Sequence, residues 1–477
     1  MTFPAANRTP AAEPAPEAAA LPPAATTEAL TAWAAEAAGG RLADCAQISG
    51  GNRCRSWAVD VETADGRQPL YLRYAPPRPP SGEPYTVRRE AQVYRALDGT
   101  DVPAPRLLAE HDRHEAILTE RAPGRADYRR IGPDAEKTSV AKDFVAALAR
   151  LHALPGDRLA GPDVAPAGDM RACVARELEI WRGMYAETDR RDPLAELALG
   201  WLEDRLPETS GAPVFVHGDA GPGNFLFQDG RMTALLDWEL AHAGDPMEDL
   251  AWYSMRSVME PTPDFAGRLR DYAAAGGAPL DLSRILYHRV FVTTRVVIIR
   301  HRNVTGEPGA SILSRALNRR LLAGALAEAS GLELTPPPWI EAPDTPQTAF
   351  HDGVIDDLRA RIAGRVEDAE AVSAAKNAAR VLKYLREVDR LGPVVEARKR
   401  AALAALLGDA PEAVSAGEAE LLALHATGRV RFAQALPYFA AAAAWDAQLA
   451  ALASGGMARR GFPDLPPDLP PDLPNVL

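Results

Sequence analysis

The chain has 477 residues, of which 47% are hydrophobic, 25% charged and 6% aromatic, and its formal net charge is −12. The length predicts two or three domains, and an acidic balance without a dense Lys/Arg stripe argues against nucleic acid as a partner. No uncharged apolar run reaches the roughly 18 residues of a transmembrane helix, and a signal-peptide pattern is lacking, so we expect no membrane partner. Three cysteines without metal-like spacing predict a reducing, cytoplasmic location.

The first quarter of the chain is predicted to contain a disordered start and a small β-rich lobe. Residues 1–27 consist mainly of Ala, Pro and Glu, which bury too little apolar surface to offset the entropy of ordering. Residues 28–122 open with a helix from Glu28 to Ala38, and strand-like stretches follow it. The predicted strands of this lobe are Ser56–Glu62, Pro69–Arg73 and Ala116–Glu120, with a helix at Thr86–Leu97 among them.

Residues 123–335 are predicted to form a mainly helical lobe. Within Val140–Leu151, for example, Phe144, Leu148 and Leu151 fall on one face at the spacing of a helix. The other predicted helices of this lobe are Glu177–Tyr185, Leu194–Leu206, Phe265–Ala275, Arg284–Ile299 and Gly309–Ser330.

The last third of the chain is predicted to be a linker, a helical bundle and a tail. The proline density of residues 336–346 is typical of a linker. Residues 458–477 repeat a Pro-rich unit and are predicted to be an extended polyproline-like tail, with a docking peptide as the alternative. Between them, residues 347–457 repeat a helical period that predicts a four- or five-helix bundle. Its first apolar stripe is Phe350, Val354, Leu358 and Ile362.

Residues 216–239, VHGDAGPGNFLFQDGRMTALLDWE, contain the strongest chemical signal in the chain. Asp219 follows a strand-like apolar run, Val214–Val216, and lies on a glycine-containing turn. A carboxylate at such a point can orient an acceptor hydroxyl and take its proton during phosphoryl transfer. The alternative for Asp219 is an Asx-turn, which the company of Asn224 and Asp237 disfavours.

Asn224 and Asp237 supply the hard oxygen atoms that Mg²⁺ takes as ligands. Asn224 precedes the apolar run Phe225–Phe227, and Asp237 follows the run 234–236. Two short apolar runs separated by Gln-Asp-Gly predict a β-hairpin, which would hold both side chains on the same side. The alternative for Asn224 is a turn residue after the Gly-Pro-Gly that precedes it.

This stretch resembles the aminoglycoside phosphotransferase and choline kinase superfamily, the phosphotransferase enzyme family, with its H-G-D-x-x-x-x-N and D-W/F-E patterns. The continuation LAHAGDPMEDLAW, residues 240–252, is similar to a subgroup associated with acyl-CoA dehydrogenases. The resemblance covers residues 28–335 and implies an α+β fold, a two-lobed protein-kinase-like unit with a small β-rich N-lobe and a helical C-lobe. The all-α bundle that follows resembles helical domains of unknown function that accompany these enzymes.

The resemblance also implies roles for the residues around Asp219. As part of the catalytic site, His217 would brace the catalytic loop. Gly218 stands where protein kinases often place an Arg that binds a phosphorylated loop, which implies a small-molecule kinase without that switch. Asp245 and Asp249 would tie the next helix to the catalytic loop, and an N-cap at Asp245 is an equally good interpretation.

The small lobe is predicted to bind the nucleotide. Glycines let backbone N–H groups approach phosphate oxygens closely, so a Gly-Gly between candidate strands predicts the phosphate loop. The residues of this loop are Ser49, Gly50, Gly51 and Asn52. Near Glu120 and Ala122, which resemble the hinge of this fold, backbone groups would bond the adenine.

The cation that pairs with the phosphates is predicted to be an arginine. Many relatives place Lys on the third strand, but the first Lys of this chain is Lys137. Arg73 therefore takes that position, as the acyl-CoA dehydrogenase-linked subgroup also tends to do, and its planar guanidinium is not equivalent to an ammonium. Glu90 is predicted to anchor Arg73, and a solvated helix charge is the alternative for Glu90.

These features predict a small-molecule kinase that uses Mg²⁺ and transfers the γ-phosphate of ATP, or GTP, to a substrate hydroxyl. The subgroup implies a hydroxyacyl-CoA-type acceptor. The alternatives are an aminoglycoside or macrolide phosphotransferase and a non-catalytic nucleotide-binding module. Cationic aminoglycosides need carboxylates near the base, and Glu177, Glu179 and Glu187 would either supply them or form a solvated helix face.

The role of the 347–457 bundle stays open on sequence alone, because no catalytic cluster is visible in it. A homodimer through the bundle, cover of the substrate site and binding of an acyl carrier are the functional alternatives. Simple packing against the large lobe is the structural alternative.

Overall fold

The computed structural model describes residues 23–48, 54–77, 83–162, 164, 166–188, 191–209, 211–302 and 308–467. The described residues form two compact units. The smaller unit contains the residues up to 77 together with Leu107–Arg121, and the larger unit contains 83–106 and the residues from Ala122 onward. This division groups residues 83–106 with the helical part of the chain, although they lie inside the predicted small lobe.

The smaller unit is an antiparallel sheet with a helix packed against its first strands. Alternate residues of the two central strands are fully buried, as expected for strands that cover a core with one face. Leu70 and Leu72 of β3 meet Val59 and Val61 of β2 in this core. The described elements are α1 (Pro23–Ala37), β1 (Arg41–Ile48), β2 (Arg55–Thr63), β3 (Gly66–Tyr74), β4 (Leu107–Glu110) and β5 (Ala116–Glu120), and the strand order is β1-β2-β3-β5-β4.

Two features of this unit differ from the sequence prediction. Helix α1 begins at Pro23, inside the segment predicted to be disordered, because Leu30 and Ala34 pack into the core of the sheet. The rest of that segment lies outside the described residues. Strands β1 and β4 both escaped prediction because they are the two edge strands of the sheet and neither has a fully buried residue, so apolar alternation is lacking.

The larger unit is mainly helical and carries two small two-stranded sheets, β6 with β9 and β7 with β8. Its described helices and strands, apart from short 3₁₀ turns and a π-helical turn at Asp357–Ile362, are α2 (Val87–Leu97), α3 (Asp134–His152), α4 (Met170–Ala186), α5 (Pro193–Asp204), β6 (Val214–Val216), β7 (Phe225–Gln228), β8 (Arg231–Leu235), β9 (His242–Gly244), α6 (Pro246–Met259), α7 (Phe265–Ala274), α8 (Leu282–Arg302), α9 (Pro308–Ala329), α10 (Thr348–Asp356), α11 (Ala369–Leu407), α12 (Val414–Ala426) and α13 (Phe432–Ser454). The helices and the hairpin predicted in residues 123–335 are therefore confirmed, although α3 and α4 begin well before their predicted starts, Val140 and Glu177.

Side-chain caps fix where several of these helices begin. The hydroxyl of Thr86 accepts the backbone N–H of Arg89 at 3.1 Å, which starts α2. The carboxylate of Asp169 accepts the N–H of Ala172 at 2.7 Å at the start of α4. Such caps satisfy N–H groups that have no partner inside the helix.

The C-terminal helices share a hydrophobic core with the helices that precede them. Leu322 and Leu326 of α9 lie in the same buried cluster as Leu436 and Phe439 of α13. Leu197 of α5 joins this cluster. In the described chain, the helices from α10 onward therefore belong to one compact unit with the helices of residues 123–335.

The apolar stripe predicted for the start of the bundle does not face the core. Phe350 is 75% exposed, Val354 48% and Ile362 42%. The buried apolar residue of α10 is Ile355, on the face that packs against α11. The prediction failed because this short helix has apolar residues on both sides, and periodicity alone cannot choose between them.

Parts of the predicted linker and of the predicted tail form hydrogen bonds with the helices. Ile340 is buried within the linker, and its N–H donates to the side chain of Gln448 at 3.0 Å. After α13, Arg460 donates to the carbonyls of Val258, at 3.1 Å, and Met259. The repeat beyond residue 467 lies outside the described residues. In the described part of the chain, no helix is long and apolar enough to cross a bilayer.

Candidate active site

The catalytic loop, residues 217–224, connects β6 to the hairpin of β7 and β8. The N–H of Leu236 donates to the carbonyl of Asn224 at 2.9 Å, across the open end of this hairpin. Asn224 and Asp237 therefore lie at the same end of the hairpin, as the sequence predicts.

Asp249, on the first turn of α6, anchors the start of the catalytic loop. Its carboxylate accepts the backbone N–H groups of His217 and Gly218 at 2.8 and 2.9 Å. The ring of His152 bonds the same carboxylate at 3.0 Å, and Asp249 is fully buried. A buried carboxylate is stable when N–H groups satisfy it in this way, so helix α6 sets the position of the loop.

Asp245 acts as a helix cap. Its partners among the described residues lie on α6 and α8 and not on the catalytic loop. It accepts the N–H of Met247 at 2.9 Å, and it pairs with Arg284 and, at 3.3 Å, with His288. Burial alone raises the pKa of Asp245, but His288 and Arg284 outweigh it and hold the pKa well below the usual range. The N-cap interpretation of Asp245 thus fits the geometry, while Asp249 ties the helix to the loop.

The ring of His217 forms hydrogen bonds that hold the catalytic loop in place. Its Nε2 donates to the carbonyl of Leu236 at 2.9 Å, and its Nδ1 accepts the N–H of Asp219 at 3.3 Å. The ring also lies 4.6 Å, centroid to centroid, from Trp238. His217 therefore joins the loop that carries Asp219 to the segment that carries Asp237.

Gly218 adopts a conformation that other residues rarely take, with φ of +79°. A Cβ atom at this position would collide with the backbone carbonyl of Leu240. An Arg at position 218, of the kind that protein kinases use as a switch, would therefore not fit this loop.

The carboxylate of Asp219 is held by two side chains. Asn224 donates to Oδ2 at 2.9 Å, and Arg256 donates through Nε to Oδ1 at 2.8 Å and through Nη2 to Oδ2. Asn224 also donates to the backbone carbonyl of Asp219 at 2.8 Å. Both amide hydrogens of Asn224 are thus engaged, which leaves its amide oxygen as the atom that can bind a metal ion.

Asp237 has a left-handed backbone, with φ of +64°, just before the 3₁₀ turn Trp238–Leu240. Non-glycine residues in this region often mark functional sites. Among the described residues, no group of three or more His, Cys, Asp or Glu side chains could hold a metal ion. A divalent ion at Asn224 and Asp237 would thus depend on phosphate oxygens and water for its other ligands, which is usual for Mg²⁺.

Arg256 is the site residue that sequence reasoning missed. It is the charged residue of the otherwise uncharged stretch Leu250–Val258 on α6, where the neighbouring side chains are mostly buried. A single charge within a buried helix face was the available signal, because such a charge needs a partner.

The predicted nucleotide residues are distributed over both units. Arg73 lies on β3 opposite Ile117 of β5, and Glu120 is the last residue of β5. Glu90 lies on α2 in the larger unit and is 1% exposed, so it is not a solvated helix charge. The pairing of Arg73 with Glu90 and the adenine contacts near Ala122 stay predictions. Residues 49–52 lie outside the described residues.

Glu177 is neither a solvated charge nor a surface carboxylate. It accepts the hydroxyl of Tyr85 at 2.8 Å and lies 3.9 Å from Arg295, and both side chains are buried. Arg295 also pairs with Glu248 at 2.5 Å. His242 lies 3.3 Å from Glu248, so His242, Glu248, Arg295 and Glu177 form one buried network of charged side chains.

A loop carboxylate, an amide five residues later and a second carboxylate at the end of a hairpin form the type of site that defines phosphoryl-transfer enzymes. The phosphotransferase enzyme family model matches residues 44–283, half of the chain. The chain belongs to this family. The predicted class, a phosphotransferase with an alcohol group as acceptor, is thereby confirmed, and so is the α+β fold class.

Several curated proteins are similar to parts of the chain. Acyl-CoA dehydrogenase family member 11 of Rattus norvegicus is 31% identical over 201 residues, which cover 40% of this chain and 25% of that protein. Viomycin phosphotransferase of Streptomyces vinaceus is 32% identical over 180 residues, 34% of this chain and 59% of that protein. The matched part thus spans about a quarter of the length of the dehydrogenase-family relatives. The predicted subgroup resemblance is confirmed.

Solved structures show more distant similarity. A putative aminoglycoside phosphotransferase from Ralstonia eutropha is 24% identical, with a TM-score of 0.46, over 61% of this chain and 90% of that chain. A mutant of the aminoglycoside phosphotransferase APH(4)-Ia, in complex with AMP-PNP and hygromycin B, is 18% identical with a TM-score of 0.45. That similarity covers 61% of this chain and 95% of that chain.

Proposed function

We propose that this chain is a small-molecule kinase that transfers the γ-phosphate of ATP, or GTP, to a hydroxyl group of its acceptor. The observation that carries the proposal is the arrangement of three side chains around one loop. Asn224 is bonded to Asp219 at 2.9 Å, and the bond from Leu236 to Asn224 keeps Asp237 at the same end of the hairpin. A base and two oxygen ligands in this order match the needs of phosphoryl transfer.

In this proposal Asp219 orients the acceptor hydroxyl and receives its proton. The hydroxyl oxygen forms a bond to the γ-phosphorus, and the bond from that phosphorus to the β–γ bridging oxygen breaks. The nucleoside diphosphate leaves with the electron pair of the broken bond, and the proton ends on the Asp219 carboxylate. Asn224 and Asp237 would hold Mg²⁺, which neutralises charge on the phosphates when bound.

The nucleotide would bind to the predicted residues of the small sheet and its neighbours. Backbone N–H groups of residues 49–52 would contact the phosphates, and Arg73 would pair with them in place of the usual Lys. Glu90 would anchor Arg73. The burial of Glu90 supports this role, since a buried carboxylate needs a charged or donating partner.

A hydroxyacyl-CoA-type molecule is the acceptor that we favour. Its first support is the similarity to proteins named as acyl-CoA dehydrogenase family members. The second is the segment Arg125–Arg130, which contains three arginines and one aspartate and contacts β7 and the end of α6. The backbone of Arg125 pairs with Phe227 of β7, and the N–H of Arg129 bonds Glu260 at the end of α6. A net positive segment favours an anionic acceptor.

An aminoglycoside acceptor, suggested by the similarity to viomycin phosphotransferase, is the second candidate. A polycationic acceptor would need exposed carboxylates near Asp219. Glu177, one of the residues predicted for that purpose, is buried against Tyr85 and Arg295 and is not accessible. Two other glutamates of the predicted set are exposed, Glu179 and Glu187. The loss of Glu177 from this set leads us to rank the aminoglycoside second.

We further propose a cytoplasmic protein organised as a two-lobed kinase, residues 28–335, with the helical bundle 347–457 as a homodimer surface. Among the residues that the structure describes, Cys45, Cys54 and Cys173 form no disulfide, which supports a reducing compartment. The exposed apolar residues of α10 and the π-helical turn support the dimer, because contiguous exposed apolar surface often marks an interface.

The test is nucleotide consumption by the purified full chain with MgATP and 3-hydroxybutyryl-CoA, gentamicin or erythromycin as acceptor. Asp219→Asn is expected to lower kcat by roughly 10²–10⁴-fold with little change in ATP affinity, because it removes the proton acceptor and keeps the shape. Asp229→Asn is the matched control, since Asp229 lies on the hairpin turn at φ of +51°, which Asn tolerates.

Turnover with one acceptor that Asp219→Asn removes and Asp229→Asn keeps would establish the kinase and its substrate class. Turnover of aminoglycoside alone would replace the favoured acceptor by the second candidate. Full activity of Asp219→Asn would contradict the role of Asp219. Magnesium-dependent ATP binding without turnover of any acceptor would favour a nucleotide-binding module.

A further inference from the structure

Helix α6 presents two polar residues to the catalytic loop from one face. Asp249 and Arg256 are separated by seven residues, which is about two turns of a helix, so their side chains lie on the same side. Asp249 holds the start of the loop at His217 and Gly218. Arg256 reaches the next part of the loop, at Asp219.

The guanidinium of Arg256 forms a bidentate pair with Asp219. Nε donates to Oδ1 at 2.8 Å, Nη2 donates to Oδ2, and Nη1 donates to the carbonyl of Pro222 at 3.2 Å. A planar fork that binds both carboxylate oxygens fixes the plane of the carboxylate as well as its position.

The glycines of the catalytic loop leave room for this arginine. A Cβ atom at Gly221 would lie 2.9 Å from Cβ of Arg256, and one at Gly223 would lie 3.2 Å from its Nη1. Both glycines have positive φ values, +143° and +95°, which residues with a Cβ atom rarely adopt. The Gly-Pro-Gly sequence therefore lets the backbone wrap around the guanidinium.

The hydrogen bonds to the Asp219 carboxylate leave one of its lone-pair positions available. Oδ2 accepts from both Arg256 and Asn224, and Oδ1 accepts from Nε of Arg256. A carboxylate has about four lone-pair positions, so one position on Oδ1 stays available to a hydroxyl donor. Arg256 thus determines which carboxylate oxygen of Asp219 can bind the acceptor hydroxyl, and from which side the hydroxyl approaches.

Arg256 stays cationic in this environment. Burial alone lowers its pKa, but the charges of Asp219 and Asp237 and the hydrogen bonds to Asp219 outweigh burial and raise the pKa above the usual value. Arg256 therefore interacts electrostatically with both the proposed base, Asp219, and a proposed metal ligand, Asp237.

We propose that Arg256 is a positioning residue for the reaction: it holds the Asp219 carboxylate so that Oδ1 receives the proton of the acceptor hydroxyl. This inference rests on the proposed kinase function. During the step the O–H bond of the acceptor breaks as its oxygen bonds to phosphorus, the proton moves to Oδ1, and the nucleoside diphosphate carries away the electron pair. Arg256 gains and loses no proton.

A double-mutant cycle of Arg256→Ala and Asp219→Asn tests the inference, with turnover of MgATP and 3-hydroxybutyryl-CoA by the full chain as the readout. Arg256→Ala is expected to lower kcat by roughly 10²-fold, the effect of a misplaced catalytic group, while ATP affinity stays within about threefold. Because Arg256 acts through Asp219, the double variant is expected to be no slower than Asp219→Asn alone.

Two further measurements separate positioning from a structural role. Added guanidinium ion is expected to restore part of the turnover of Arg256→Ala, and Arg256→Lys, which keeps the charge and loses the fork, is expected to fall between wild type and Arg256→Ala. Arg268→Ala is the matched control, because Arg268 is a buried arginine on α7 that pairs with Asp271 at 2.7 Å away from the catalytic loop. It is expected to lower stability without changing kcat.

The outcomes of this cycle distinguish the inference from the function on which it rests. Absence of turnover by the wild-type chain with all three acceptors would overturn the proposed function itself, whereas full turnover by Asp219→Asn would remove Asp219 as the base and the inference with it. Loss of turnover in Asp219→Asn with wild-type kcat in Arg256→Ala would overturn the inference alone. Effects that multiply in the double variant would also overturn it, since Arg256 would then act on the phosphates independently of Asp219.

Discussion

At the scale of single residues, the site depends on backbone conformations as much as on side chains. Gly218 and Gly221 have positive φ values, and Asp237 has one although it carries a side chain. The glycines are explained by close approaches to Leu240 and Arg256. The conformation of Asp237 costs about 1–3 kcal/mol in typical cases, and the proposed metal role accounts for its presence.

Replacement of Asp237 is expected to abolish the magnesium-dependent part of ATP binding, because one of two protein ligands is lost. Asp237→Ala adds backbone strain at a φ of +64°, so Asp237→Gly, which tolerates this angle, is measured beside it. Calorimetric titration of ATP with and without Mg²⁺ provides the readout. Affinities of both variants that still respond to Mg²⁺ as in wild type would exclude Asp237 as a ligand.

The local part of the site was predictable from the sequence, and its tertiary part was not. The hairpin between Asn224 and Asp237 follows from two short apolar runs and a turn, all within a few residues. Arg256 lies 37 residues from Asp219, and its role depends on the placement of helix α6. Periodicity identifies such a helix but cannot state which loop its polar face meets.

At the scale of elements, a buried charge network connects β9 with α4, α6 and α8. His242 of β9 lies between Glu177 of α4 and Glu248 of α6, and Arg295 of α8 pairs with both carboxylates. Burial alone lowers the pKa of His242, but the two carboxylates outweigh it and raise the pKa to about 9. Strand β9 and helices α6 and α8 follow Asp237 in the chain, and α4 precedes Asn224, so the network joins segments from both sides of the proposed metal ligands.

The raised pKa of His242 makes the stability of the larger unit depend on pH. Between an unfolded pKa of about 6.5 and the folded pKa of about 9, the folded state binds more protons, so the free energy of unfolding falls as pH rises through this window. The expected loss is roughly 3 kcal/mol in wild type. Urea unfolding at pH 6.5 and 9.5 measures it.

His242→Gln is the comparison for this pH effect, because the amide keeps hydrogen-bonding groups and does not titrate. The difference between wild type and variant in the free energy of unfolding is expected to be large at pH 6.5 and small at pH 9.5. An equal difference at both pH values would show that folding does not raise the pKa of His242.

Apolar periodicity predicts strand β5 correctly but predicts the wrong buried face for helix α10. Strand β5 has its predicted ends, Ala116 and Glu120, because both of its faces are largely buried and its sequence begins with the apolar run 116–118. Helix α10 has the predicted period, but the predicted stripe is the exposed one. A period fixes the type of element, while the choice of buried face depends on the partner helix α11.

At the scale of the whole molecule, the exposed apolar residues of the bundle provide a test of self-association. Phe350→Ser with Ile362→Ser is expected to convert a dimer into a monomer, because both side chains are exposed and would be buried at the proposed interface. Light scattering after gel filtration measures the mass, and Trp339→Ser, which replaces a side chain that is 62% exposed outside the bundle, is the matched control. A wild-type mass of one chain would contradict the dimer.

The contact of Arg460 with the end of α6 has a consequence for the order in which the protein is completed. Val258 and Arg460 are 202 residues apart, and Arg289 of α8 likewise bonds the carbonyl of Pro463 at 2.7 Å and stacks on Phe462. During synthesis the last turn of the helix that carries Arg256 therefore waits for donors that leave the ribosome some 200 residues later. A nascent chain that already contains every proposed catalytic residue still lacks the hydrogen bonds from Arg460 that hold the end of α6, so the site is expected to mature only after Arg460 has left the ribosome.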